Sequence, residues 1–301
     1  RPTFAYWGWR SAGGAPEGPI LSAAAALEFL QACALIHDDV MDGSDTRRGK
    51  PAAHRRLASM HRSHGYLGSP EDFGVGSAIL LGDLCLSWSD ELLMASGLAP
   101  AALEAAKPIF DEMRTELMAG QYLDLLEQVR GDYSLDSALQ VARYKSAKYT
   151  VERPLHIGAA AAGADSAHLE QLTAFGIPLG EAFQLRDDML GVYGDPQETG
   201  KPAGDDLREG KRTALVAIAW ERADAFQRDL LRQHLGDPAI TPSMVDALRN
   251  VITETGAQAA VEQMIDDRTA TCREVIAAMD IDEQTRAAFD RLLILATRRS
   301  A

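Results

Sequence analysis

Along most of the chain, apolar residues return every three or four positions, the spacing that gives a helix one buried face. No stretch of useful length alternates apolar with polar in the manner of a strand. The pattern is densest over residues 20–42. Ser22 offers an N-cap oxygen there, and Ala23 to Ile36 is a run of helix formers. Gly43-Ser44-Asp45 breaks that helix, and a loop carrying Arg47 and Arg48 follows. Residues 65–76 hold four glycines and a proline and read as a connector. Helical patterns follow over 75–97, 100–129, 136–156, 165–189, 211–235, 243–276 and 283–298. Between two of them, residues 195–210 form a loop rich in Gly, Pro, Asp and Lys. Long loops of that kind often serve as lids over active sites. These elements predict an all-α protein, with one domain over 1–301 built as a helical bundle around a central cavity.

Composition agrees with the periodicity. Aromatic residues are 6% of the 301 positions, and alanine is abundant, which favours helix over sheet. A formal charge of −14 argues against nucleic acid as a partner. Cys33, Cys85 and Cys272 lie far apart with no paired spacing, so neither a zinc site nor a disulfide framework is expected. A reducing cytoplasm suits them. No apolar run is expected to reach the ~18 residues of a membrane span, and no signal peptide is visible. The chain opens at Arg1-Pro2 without a methionine, so an N-terminal segment is expected to be missing.

Charge placement is more informative than charge total. Asp38-Asp39-Val40-Met41-Asp42 ends the apolar helix 20–42. Asp187-Asp188 ends the helix 165–189, half a chain later. Asp38 and Asp42 are four apart and share a helix face. Carboxylates on apolar helices cost folding energy unless a cation meets them. Mg²⁺ suits this role, because it takes one or two carboxylates together with water and phosphate. Basic islands at Arg47-Arg48-Gly49-Lys50 and Arg208 to Arg212 flank the clusters. Arg forks onto phosphate and Lys offers a compact charge. One such cluster is more often a solvated face. Two, each following an apolar helix and each followed by basic residues, describe a clamp for a diphosphate with several Mg²⁺ ions. Gln121 and Asp124 are either pocket-wall residues or surface polars. His37 reads as a packing histidine. P-loop, Gly-x-Ser-x-Gly and His-Glu-x-x-His signatures are absent.

On these residues the chain resembles the trans-isoprenyl diphosphate synthases, or polyprenyl synthetases. The first matching stretch is Asp38-Asp39-Val40-Met41-Asp42-Gly43-Ser44-Asp45-Thr46-Arg47-Arg48-Gly49. The second is Phe183-Gln184-Leu185-Arg186-Asp187-Asp188-Met189-Leu190-Gly191, continuing to Asp195 and Thr199-Gly200-Lys201. Arg1-Pro2 resembles the end of the family's Gly-Gly-Lys-x-x-Arg-Pro motif. Phe4 to Arg10 is similar to actinobacterial geranylgeranyl-type members.

That resemblance implies a Mg²⁺-dependent prenyltransferase that condenses isopentenyl diphosphate with an allylic prenyl diphosphate. It implies Asp38, Asp42 and Asp187 as metal carriers, with Asp39 and Asp188 supporting. Arg47, Lys145, Lys201 and Lys211 would hold the allylic diphosphate. Arg1, Gln31 and Arg48 would grip isopentenyl diphosphate. Ser146 stands where the family has Thr, and Gln184 near the reacting carbons. Gly191 stands in place of a third Asp, and Asp195 or Asp205-Asp206 could assist through water. Small residues before the first cluster, Cys33 and Ala34, leave room for a product longer than fifteen carbons, with twenty preferred. Phe29 or Leu30 would form the floor. A homodimer is implied. Farnesyl or longer-chain synthesis, a terpene cyclase of the same fold and a non-catalytic synthase-like subunit remain the alternatives.

Overall fold

The computed structural model describes residues 1–131, 133–194, 204–237 and 239–298. In chain order the elements are α1 (Pro2–Ser11), α2 (Ile20–Met41), the two-residue strands β1 (Thr46–Arg47) and β2 (Lys50–Pro51), α3 (Ala53–Ser63), α4 (Pro70–Met94), α5 (Pro100–Arg130), α6 (Leu135–Val141), a π-helical segment (Ala142–Glu152), α7 (Arg153–Ala161) and α8 (Ser166–Tyr193). After the second cluster come α9 (Asp205–Glu209), α10 (Ala214–Arg222), α11 (Ala225–His234), α12 (Pro242–Glu254), α13 (Ala257–Ala278) and α14 (Glu283–Thr297). The all-α class read from the periodicity holds. The single β-ribbon among the described residues pairs Thr46 with Pro51 and Arg47 with Lys50.

Several boundaries differ from the sequence reading for local reasons. Residues 70–76 are helix, not connector. Ser69 accepts from the Asp72 N–H, Pro70 occupies the first turn, and Glu71 and Asp72 complement the positive end of the helix. Gly74 lies inside α4 because α3 packs there: a Cβ would run into the His54 carbonyl. The predicted helix 211–235 divides where Asp224 begins a capping box with Gln227. The predicted helix 243–276 divides at Gly256, whose φ of 72° suits glycine. α2 also departs from expectation. By length and hydropathy alone it could cross a membrane, at 22 residues and a mean hydropathy of 1.6. Its alanine-rich side is buried, mainly against α4.

Helices α2, α5, the π-helical segment and α8 surround the centre of the bundle. One layer of core joins Leu27 and Leu30 of α2 to Phe110 and Met113 of α5 and Ile157 of α7. A second stacks Phe175 of α8 on Phe289 of α14, ring centroids 4.8 Å apart. A third packs Leu185 and Val192 of α8 against Leu215, Leu248 and Ile265. Each fully buried side chain of this size stabilises by about 1.5–3 kcal/mol. These layers fix α2 and α8 on opposite sides of one central space.

Candidate active site

At the end of α2, Asp38 and Asp42 lie one turn apart and Asp39 points sideways from them. Arg48 and Gly49, both at positive φ (53° and 69°), form the two-residue turn of the β-ribbon. A non-glycine residue in that region costs roughly 1–2 kcal/mol. The turn brings Arg47 back onto the helix. Its Nε and Nη2 donate to Asp39 Oδ1 at 2.8 and 2.5 Å, and Nη2 to Asp38 Oδ2 at 3.2 Å. Asp39 is buried away from the cavity wall. Its place is beneath Arg47 and not beside Asp38 as a wall carboxylate.

Lys145 approaches Asp38 from the π-helical segment. Its Nζ donates to Asp124 Oδ2 at 2.5 Å and to Asp38 Oδ1 at 3.3 Å, while Gln121 Nε2 donates to the same Asp38 oxygen at 3.3 Å. A π-helix is wider than an α-helix and needs room. Glycines on both sides supply it. A Cβ at Gly120 would overlap the Lys145 backbone, and one at Gly180 the Ala147 backbone. Burial pushes the Asp38 carboxyl up, but Lys145, Lys211 and Arg47 outweigh it and hold it below the usual range. Burial likewise lowers Lys145, yet Asp38 and Asp124 keep it above its ordinary value.

The second cluster draws on two elements. On α8, Gln184 Nε2 donates to Asp188 Oδ1 at 2.7 Å. Burial, then the nearby Asp206, pushes the Asp188 carboxyl well above its usual range. Asp206 belongs to α9, and its carboxylate occupies the space above Gly191. A Cβ at Gly191 would overlap it. The position that lacks a third Asp is therefore filled by a carboxylate from the next element.

Lys211 joins the two clusters. Its Nζ lies 2.7 Å from Glu209 Oε2, 3.5 Å from Asp206 Oδ1 and 3.7 Å from Asp42 Oδ2. Burial would lower its pKa, but Asp206, Glu209 and Asp42 raise it well above normal. Both Asp42 oxygens are buried without a hydrogen-bond partner. Burial and the neighbouring Asp38 push its pKa up to about 6.

These groups surround one cavity of about 650 Å³. Of the residues predicted from sequence, Arg1, Gln31, Cys33, Ala34, Asp38, Arg47, Arg48, Lys145, Ser146, Gln184, Asp187, Asp188 and Lys211 line it, and Gln121 and Asp124 do too. Asp42 sits just behind the wall. Phe29 and Leu30 do not line the cavity. Phe29 is exposed and packs edge-on against Trp88, with 5.9 Å between centroids, and Leu30 is fully buried in the core. Lys201 and Asp195 lie outside the described residues, as does the 195–203 part of the predicted lid. Its later part is not loop but helix α9. Tyr149, Thr150, Arg212 and the placement of Asp206 were not read from sequence as wall features. Tyr149 follows Lys145 by four residues, and that spacing was the available signal.

The donor set suits a hard cation. Carboxylate oxygens dominate, and neither Asp42 oxygen has a hydrogen-bond partner, Lys211 lying 3.7 Å from Oδ2. Among the described residues no three His, Cys, Asp or Glu side chains close into a ready ligand set. Mg²⁺ typically keeps water and substrate phosphate among its ligands.

Comparison with known proteins agrees with this geometry. The sequence profile of the family described as polyprenyl synthetase matches residues 3–252. The chain belongs to the polyprenyl synthetase family. Polyprenyl synthetases are Mg²⁺-dependent prenyltransferases. The crystal structure of geranylgeranyl pyrophosphate synthase from Corynebacterium glutamicum, complexed with isoprenyl diphosphate and magnesium, superposes with a TM-score of 0.96. It is 42% identical over 99% of this chain and 85% of that one. A geranylfarnesyl diphosphate synthase of Natronomonas pharaonis is 35% identical over 209 residues. The match covers 68% of this chain but only 55% of that relative. A geranylgeranyl diphosphate synthase of Mycobacterium tuberculosis is 31% identical over 255 residues, 85% of this chain and 68% of its own. These relatives differ in the product they are named for.

Proposed function

We propose that this chain elongates prenyl diphosphates, joining isopentenyl diphosphate head-to-tail to an allylic diphosphate. The observation that carries this reading is the meeting of both acidic clusters, Lys145, Lys211 and Arg47 at one cavity whose walls also include the small residues Cys33 and Ala34. A diphosphate entering between the clusters takes its charge compensation from Lys145, Lys211 and Arg47. Asp38, Asp42 and Asp187 would hold Mg²⁺, with Asp188 and Asp206 supporting. When bound, that metal supplies positive charge against which the allylic diphosphate departs. Arg1, Arg48 and Gln31 hold the second diphosphate and present its alkene to the allylic carbon. Gln184 and Ser146 line the wall beside the reacting atoms. The proton released after carbon–carbon bond formation goes to the departed diphosphate, so the step requires no dedicated base from the wall. Closing the site against water protects the cationic carbon.

A twenty-carbon product is the preferred reading, supported by the small residues Cys33 and Ala34 at the wall, where bulky residues would stop growth. The reading is tested by incubating the purified chain with Mg²⁺, isopentenyl diphosphate and dimethylallyl, geranyl or farnesyl diphosphate, followed by product chromatography. All-trans geranylgeranyl diphosphate is expected. Hydrocarbon from geranylgeranyl diphosphate alone would instead indicate a cyclase, and no turnover would indicate a non-catalytic subunit.

The same proposal includes a homodimer. α2 and α4 expose Leu21, Phe29, Ile79, Leu80, Leu84 and Trp88, an apolar face that a second copy would cover. Leu80→Glu should shift the species seen by sedimentation toward monomer. An unchanged dimer would place the interface elsewhere.

A further inference from the structure

Tyr149 is a large aromatic side chain at the cavity wall to which the proposed reaction gives no role. It is 3% exposed and lies on the π-helical segment, four residues beyond Lys145. Its ring faces two different environments. The Arg1 guanidinium lies 4.3 Å from the ring centroid, and Arg1 Nη2 donates to Thr150 Oγ1 at 2.8 Å. The Tyr149 hydroxyl donates to Gln31 Oε1 at 2.7 Å. The ring also belongs to the apolar cluster of Leu27, Leu30 and Leu117, with Ala34 packed against that cluster. Arg1, Gln31, Cys33, Ala34 and Tyr149 all line the same cavity. Phe29 and Leu30 do not line the cavity, and Tyr149 and Leu117 are the bulky members of that apolar cluster that share its wall with Cys33 and Ala34.

We infer that Tyr149 is a specificity-determining and positioning residue, limiting the prenyl chain beside Cys33 and Ala34 while its ring and hydroxyl hold Arg1 and Gln31 for isopentenyl diphosphate. The inference rests on the prenyl-elongation reading. It ties chain length and second-substrate grip to one side chain. Burial pushes the phenol's pKa further up, so the hydroxyl remains a donor throughout the physiological range. A cation over an aromatic face is attracted most when both are withdrawn from water, as Arg1 and Tyr149 are here.

Conservative variants separate the two parts. Tyr149→Phe keeps the ring and removes the donor to Gln31. It should raise KM for isopentenyl diphosphate about fivefold, the effect of losing one hydrogen bond, with kcat and product length unchanged. Tyr149→Leu removes the ring. It should lengthen the main product by one or more five-carbon units and raise the same KM further. Tyr149→Trp, which adds bulk, should shorten the product and serves if the leucine variant does not fold. A residue that only supports packing would change thermal stability and leave the product distribution alone. Wild-type chain lengths from both the Leu and Trp variants, or an unchanged KM in the Phe variant, would overturn the inference. Absence of any prenyl product from the wild-type chain would instead overturn the underlying reading.

Discussion

The two acidic clusters reach the same cavity by different constructions. The first is local. Asp38, Asp39 and Asp42 come from one helix end, and Arg47, which donates to Asp38 and Asp39, returns on a turn only five residues later. The second is assembled. Asp187 and Asp188 come from α8, but the carboxylate above Gly191 is Asp206 of α9. Lys211 and the Ser44 hydroxyl, which donates to Glu209 Oε1 at 2.9 Å, tie the two constructions together. A carboxylate can be supplied by position in space where position in sequence lacks it. At Gly191 the space a side chain would take is occupied by the Asp206 carboxylate.

The largest expected effect breaks the local cluster. Asp38→Ala removes the carboxylate that Lys145, Gln121 and Arg47 all address, and should lower kcat/KM on the order of 10³-fold, measured by incorporation of labelled isopentenyl diphosphate. Lys211→Met attacks the link between the clusters. It leaves Asp42, Asp206 and Glu209 without their shared cation and should destabilise by about 3–5 kcal/mol, read as a lower denaturant midpoint. A midpoint equal to wild type would show that the clusters do not depend on it.

The assembled cluster is sharpened by a swap. Gly191→Asp alone should overlap Asp206 and reduce Mg²⁺-induced thermal stabilisation. Asp206→Ala alone should reduce it too, with a rate loss of about 10²-fold. The double variant, which moves the carboxylate back onto α8, should recover most of both. Losses that simply add in the double variant would show that the two positions are independent. The smallest effect concerns the apolar wall. Cys33→Phe should shorten the product while costing about 1–3 kcal/mol through overpacking, checked by product chromatography and thermal melting.

The same contrast explains what could be read from the sequence. The first cluster was legible because its members lie four apart on one periodic helix and its arginines follow directly. Long helices such as α2, α5 and α8 were legible for the same reason. The filling of the Gly191 position was not, because only the fold brings α9 over α8. The π-helical segment was hidden as well. Its polar and apolar residues fit an α-helical period well enough, and the glycines that admit it lie on α5 and α8. That Phe29 does not line the cavity has a simple geometric cause. Phe29 precedes Asp38 by nine residues, two and a half turns at 3.6 residues per turn, so it points to the opposite face. The placement of Tyr149 is not legible in the sequence, because its neighbours at the wall, Arg1 and Gln31, are distant along the chain.

Binding of inorganic diphosphate by calorimetry, with and without Mg²⁺, tests the central claim most directly. In the wild-type chain binding should require Mg²⁺, and both Asp38→Ala and Asp187→Ala should abolish it. Wild-type affinity in either variant would contradict the account, because one cluster would then suffice without the other.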